Sequence, residues 1–155
     1  MGNYFLPIAD YDVKLLNLHA EMSGPLNDKF SYSWMANFYD YMTTQKYAWN
    51  KPDWDGQLGL KYNLRDKILA GMDLKVIGKR KQIINGDIFS AQSGFVSEII
   101  DMPVHFNLNL SAEYRYSKIL SFWTRLDNIS INRYYEWAYY PSQTFLFMLG
   151  FTYSL

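Results

Sequence analysis

The sequence has no cysteine among its 155 residues. That absence excludes disulfide scaffolds, thiolate metal sites and cysteine nucleophiles together, while naming no compartment. Net charge is also missing: 15 Lys and Arg balance 15 Asp and Glu, so no global basic field argues for a nucleic-acid partner. Mean hydropathy is −0.24, and nowhere is there a run of about 18 apolar residues, so no transmembrane helix is expected. A spanning β-barrel is untouched by this, because it hides its apolar band in alternate residues. The opening MGNYFLPIAD has neither a basic n-region nor an apolar h-region, so no signal peptide is visible. Histidine is scarce at two residues, and no Ser-His-Asp order, glycine-rich phosphate loop or paired acid set stands out. The sequence therefore predicts no enzyme, no cofactor and no metal site.

Aromatics are abundant. Fourteen Tyr, ten Phe and five Trp are too many for a disordered chain. The strongest pattern is alternation, clearest at the end, where Phe145, Phe147, Leu149, Phe151, Tyr153 and Leu155 oppose Leu146, Met148, Gly150, Thr152 and Ser154. That is a strand period, not a helical one. Upstream, Phe106, Leu108, Leu110, Ala112, Tyr114 and Tyr116 oppose a polar set running from His105 to Ser117. After a tight Ser117-Lys118 turn, Leu120, Phe122, Thr124 and Leu126 continue the apolar face. Leu16 to Met22, Phe30 to Phe38, Leu58 to Leu64 and Ala70 to Val76 repeat the pattern. Taken together they predict about seven long strands and no helix. Tyr4–Ile8 could add a short eighth strand, although Pro7 interrupts it.

Connections alternate in length. Short turns are expected at Gly24–Asp28, Arg65–Lys67 and Ser117–Lys118, and long loops at Gln45–Asp55, Asn85–Pro103 and Ser130–Gln143. All short turns then fall at one end, which is the layout of an outer-membrane barrel with short periplasmic turns and long extracellular loops. The runs are roughly twice the usual five or six residues of soluble strands and suit the ~9–11 of a tilted spanning strand. Tyr and Trp gather at strand ends and in loops, where a membrane interface wets one side of the ring. The fold expected is all-β: an antiparallel transmembrane β-barrel segment of about seven or eight strands. Seven strands do not close a single-chain bacterial barrel, where counts are even, so the end of a larger barrel is expected. Two alternatives share the pattern. One is a small self-contained outer-membrane barrel with a structural or adhesive role, and the other a soluble β-sheet carbohydrate-binding module with its apolar face buried.

The last fifty residues resemble the closing strands of TonB-dependent receptors, especially those of Bacteroidota. Leu126-Asp127-Asn128-Ile129 followed by Asn132-Arg133-Tyr134-Tyr135 matches the family's penultimate strand and Tyr-containing loop. Tyr140-Pro141 matches the step before the final strand, and Gly150, Tyr153 and a terminal hydrophobe match the outer-membrane β-signal. Leu155 stands where the family usually ends in Phe or Trp, and Gln143-Thr144 stands where Gly-Arg is common. The resemblance covers the barrel only, so residues 1–155 are expected to be its C-terminal part, without the plug domain and TonB box. It implies TonB-driven uptake of a bulky nutrient (siderophore, cobalamin, glycan or peptide) by the full-length protein in the bacterial outer membrane. The implied partners are outer-membrane lipid and lipopolysaccharide, the barrel-assembly machinery through the C-terminal strand, and the plug and TonB.

Candidate residues fall into two groups. Trp49, Trp54, Tyr134, Tyr135, Trp137, Tyr139 and Tyr140 crowd the long-loop side and could stack on ligand rings; interfacial anchoring is the competing reading. His19, Glu21, Asp73, Lys75, Glu113, Arg115, Arg125 and Asp127 are expected on the lumen face, as plug or ligand contacts or as a lattice of paired charges. Opposite charges across the Glu113/Arg115 and Arg125/Asp127 hairpin are expected to pair between adjacent strands. The run Lys79-Arg80-Lys81 is expected as a solvated loop base, with lipopolysaccharide phosphate or an acidic ligand as the functional reading.

Overall fold

The computed structural model describes residues 12–44, 46–85, 97–131, 134–137 and 140–154. These residues form strands and no helix: β1 (Lys14–Pro25), β2 (Phe30–Met42), β3 (Trp54–Leu64), β4 (Ile68–Ile77), β5 (Arg80–Asn85), β6 (Ser97–Met102), β7 (His105–Arg115), β8 (Leu120–Asp127), β9 (Tyr135–Trp137), β10 (Tyr140–Pro141) and β11 (Leu146–Tyr153). Seven of them build one antiparallel sheet in the order β1-β2-β3-β4-β7-β8-β11. The other four make two small hairpins, β5 with β6 and β9 with β10. The Tyr4–Ile8 stretch lies outside the described residues.

The strand register puts the apolar alternation of all seven strands on one side. Trp34 lies opposite Leu58, Leu58 opposite Leu74, and Leu74 opposite Leu108. A second row runs from Met72 through Leu110 and Leu126 to Phe147. A slip of one residue on any strand would have turned its apolar set to the polar side. Nothing in the described residues covers this face. Met102 is the one buried hydrophobe among them, while Leu18, Leu149 and Phe151 are 63%, 71% and 69% exposed. An apolar surface of this extent is not that of a water-soluble monomer. The 11 residues of β3, tilted as barrel strands are, rise about 25 Å, the height of the apolar band of an outer-membrane barrel.

Each short turn is closed by its own side chain. Asn27 Oδ1 accepts from the Lys29 and Phe30 amides, and Ser117 Oγ from those of Ile119 and Leu120. Between β3 and β4 the three residues 65–67 reverse the chain, with the Lys67 amide donating to the Leu64 carbonyl, and the central pair Arg65 and Asp66 both take positive φ, 53° and 57°, as in a type I′ turn. Asn63 holds this strained pair by exchanging two hydrogen bonds with Asp66, at 2.7 and 2.9 Å. Near the C-terminal end, Trp123 lies over Gly150 so closely that a Cβ there would stand 2.5 Å from the indole. The glycine is the hollow that receives the ring.

The long-loop end differs from expectation. The interval Asn85–Pro103 is not a single loop, because β6 pairs with β5 from Arg80–Met102 to Asn85–Ser97. β4 and β7 thus continue, past a break at Gly78 and Lys79, into an arm that stands beyond the sheet. The Ser130–Gln143 interval likewise holds β9 and β10. β8 and β11 have 8 residues each, shorter than the other five strands of the sheet. β1 and β11 are the two edges and do not pair with each other, so the sheet is an open sector.

Leu58 and Gln57 are neighbours on opposite faces of β3, and they isolate the membrane contribution. Leu58→Arg is expected to cost about 2–4 kcal/mol in a bilayer, whereas Gln57→Arg should stay within about 0.5 kcal/mol. Urea unfolding of the intact protein in lipid vesicles measures both.

Candidate functional site

The polar side of the sheet carries a hydrogen-bonded row across three strands. His19 Nδ1 lies 2.6 Å from Asn37 Oδ1, Asn37 Nδ2 donates to Asp55 Oδ2 at 3.0 Å, and the Tyr39 hydroxyl donates to Asp55 Oδ1 at 2.7 Å. Glu21 closes the row, 3.4 Å from His19 Nε2. The row exists because His19, Asn37 and Asp55 are direct register partners. It continues through Ile77 to His105, which puts the two histidines four strand spacings, about 19 Å, apart. They cannot share a metal ion.

Asp73 and Lys75 also lie on this face, opposite Gly59 and Gln57 on one side and Asn109 and Asn107 on the other. Glu113, Arg115, Arg125 and Asp127 do too, but their pairing corrects the sequence expectation. Arg115 bonds Glu113 at 3.2 Å and Arg125 bonds Asp127 at 2.8 Å, each along its own strand. The register explains this, since Glu113 faces Trp123, Arg115 faces Ser121 and Arg125 faces Ser111. No opposite charge stands directly across the hairpin, so each arginine turns to the carboxylate two residues away on its own side.

At the long-loop end one residue was misread from sequence. Arg80 is not part of a solvated loop base; it is 8% exposed. Its Nη1 donates to Asn50 Oδ1 at 3.2 Å and to the Glu136 carbonyl at 3.3 Å, and its Nη2 to the Tyr135 carbonyl at 2.8 Å. Asn50 Nδ2 reaches the same Glu136 carbonyl, and the Asn50 amide donates to the Lys81 carbonyl at 2.7 Å. One guanidinium therefore clasps the β2–β3 loop, the β5–β6 arm and the β8–β11 loop. Burial lowers the Arg80 pKa from its ordinary value, opposed by the nearby Glu136; the group stays charged. Lys81, one residue on, does point outward, paired with Asp101 at 2.7 Å and with its ammonium 4.9 Å from the centre of the Tyr47 ring.

Asn128 anchors the last loop. It is 2% exposed with φ 52°. Its amide donates to Asn109 Oδ1, its Nδ2 to the Gln143 carbonyl, and its Oδ1 accepts from Ser130. It ties both ends of the 128–143 segment to β7, which gives the Asn of the Leu126–Ile129 stretch a physical role.

The loop aromatics are not equivalent. Tyr134 stacks on His105 with centroids 4.0 Å apart and planes 10° from parallel. Trp49 meets Tyr47 edge-on at 5.5 Å, and its indole N–H is buried without a partner among the described residues. Trp54 lies against Gly78, whose amide donates to the Trp54 carbonyl. Tyr135 is 49% exposed, more open to a ligand than Trp49, Trp54 and Tyr134, which are half-buried. Trp137 and Tyr140 are register partners in the β9–β10 hairpin, and Tyr139 lies outside the described residues. Sequence reading named these rings and put Arg80 in a solvated basic run, but missed Asn50; together Arg80 and Asn50 hold the backbone at Tyr135 and Glu136, and no motif marks that role.

Arg80→Ala is expected to release the loops while leaving the sheet intact. Hydrogen bonds from a charged donor are worth on the order of 2 kcal/mol, so amide exchange in residues 46–53 and 134–142 should rise roughly thirtyfold with β3 and β4 unchanged. Arg80→Lys should not restore protection, since one ammonium cannot span two backbone carbonyls and Asn50 as a planar fork does.

No protein-family model and no curated protein matches the chain. Solved structures do. The ferripyoverdine receptor of the Pseudomonas aeruginosa outer membrane, bound to ferripyoverdine, is 18% identical with a TM-score of 0.77, over 91% of this chain and 19% of that one. The ferric-catecholate import receptor Fiu of Escherichia coli is 13% identical at 0.70, over 91% and 21%. The siderophore receptor PiuA of Acinetobacter baumannii is 15% identical at 0.69, over 91% and 22%. The chain thus spans about a fifth of the length of these receptors. Its fold is that of one open sector of the β-barrel found in TonB-dependent outer-membrane receptors.

Proposed function

We propose that these residues form the C-terminal sector of the barrel of a TonB-dependent outer-membrane receptor that takes up a bulky nutrient. One observation carries the reading: a seven-stranded sheet with a bare apolar face and a hydrogen-bonded polar face, short turns at one end and clasped loops at the other. Hydrocarbon tolerates no unpaired strand edge, so the β1 and β11 edges call for further strands that complete the barrel. The apolar face then meets lipid. The polar face, with His19, Glu21, Asp73, Lys75, Glu113, Arg115, Arg125 and Asp127, lines an interior that a plug domain would fill, and TonB would act through that plug. The barrel-assembly machinery would recognise β11, and lipopolysaccharide would meet the loop end of the outer surface.

A ferric siderophore is the cargo this reading favours. The sheet superposes on siderophore receptors, and the loop end carries the exposed ring of Tyr135 and the Lys81 ammonium over the Tyr47 ring, groups that suit a planar chelate carrying negative charge. In this reading the loops bind the cargo and the barrel admits it.

In the intact protein, Tyr135→Ala with Trp49→Ala is expected to weaken ferric-siderophore binding roughly tenfold, about 1 kcal/mol or less per ring, read by intrinsic fluorescence quenching. Loss of TonB should abolish uptake of the iron-labelled siderophore and leave surface binding unchanged. Uptake that persists without TonB would sink the reading.

A further inference from the structure

Among the described residues, the large side chains of the apolar face leave a hollow between β3 and β8. Tyr62, Ala70, Ala112 and Thr124 are successive register partners across β3, β4, β7 and β8. The three small residues open an almost wholly apolar groove of about 450 Å³ on four adjacent strands. Phe30 and Tyr62, with ring centroids 4.7 Å apart, wall one side, and Leu110 and Leu126 line it towards the loop end.

The groove lies next to the short turns. Ala70 is three residues from Lys67, about 10 Å along the strand, and Phe30 directly follows Lys29. The three turns carry Lys29, Arg65, Lys67 and Lys118, all exposed, against two acids, Asp28 and Asp66. None of the four cations makes an ion pair among the described residues, and Asp66 already accepts from Asn63. An apolar slot with unpaired positive charge at its mouth is complementary to one acyl chain joined to an anionic headgroup.

Building on the membrane placement above, we propose that this groove is a binding site for an anionic phospholipid of the periplasmic leaflet. One acyl chain lies over Ala70, Ala112 and Thr124, and the phosphate is held by Lys29 and Lys67 with Arg65 beside them. The site selects headgroup charge through the turns and chain shape through the groove.

These 155 residues contain no cysteine, so once any cysteine elsewhere in the intact protein is replaced, a single fluorophore can be placed at will. In the intact protein, Leu108→Cys puts it one lipid-facing step beyond the groove, and Leu18→Cys puts it on the same face four strands away. Vesicles then contain phosphatidylglycerol or phosphatidylcholine brominated on the acyl chain. Quenching at Leu108→Cys is expected to favour the anionic lipid by roughly fivefold, the factor one basic residue gives at an anionic surface, with no preference at Leu18→Cys. Ala112→Phe should remove the preference by filling the groove. Lys29→Gln with Lys67→Gln should remove it while quenching itself persists. Equal quenching by both lipids at Leu108→Cys overturns the site, as does quenching at Leu18→Cys alone, which would mean that protein covers the groove. Absence of quenching at both positions by both lipids overturns the membrane placement instead.

Discussion

In hydrocarbon no water exists to satisfy a backbone amide or carbonyl, so every one must find its partner in the protein. The whole architecture depends on this. A strand ladder meets the demand only if neighbouring strands hold one register over the full thickness, and the register then decides which side chains face lipid. Here the rows from Trp34 to Leu108 and from Met72 to Phe147 keep that phase across the sheet. The phase is set at the turns, where Asn27, Asn63 and Ser117 each lock the chain reversal with side-chain hydrogen bonds. Positive φ at Arg65 and Asp66, without glycine, shows how tightly one of them is held.

The two ends of the sheet use polar groups differently. At the short-turn end, cations stay unpaired and exposed, and polar side chains serve only to fix the reversal. At the far end, polarity is internal: Arg80, Asn50 and Asn128 are spent on backbone carbonyls and amides of three separate segments. Burying a guanidinium is costly unless its donors are met; both terminal nitrogens are met, by Asn50 and by the Tyr135 and Glu136 carbonyls far away in sequence, while Nε is buried without a partner among the described residues. The aromatic rings sit on this framework, so their arrangement is inherited from it.

Much of the sheet was legible because lipid imposes a rule that one residue in two obeys. The apolar positions from Leu16 to Tyr153 could be assigned strand by strand, and the register shows those assignments to be mutually consistent. What lies beyond the bilayer follows no such rule. The β5–β6 arm was hidden because SEIIDM is short and charged, and read as loop. Arg80 was hidden because a basic run has the same composition whether it is solvated or clasped. The ion pairs of Glu113 and Arg125 needed a register, which the sequence pattern gives only to within the choice of face. Asn128 stood inside a recognisable stretch, yet its burial came from contacts with Asn109 and Gln143 that no local pattern encodes.

The break at Gly78 and Lys79 gives the arm a root, and Arg80 is the first residue beyond it. The arm is therefore fastened where it leaves the sheet, and a single planar group there joins it to two loops that are otherwise far from it along the chain.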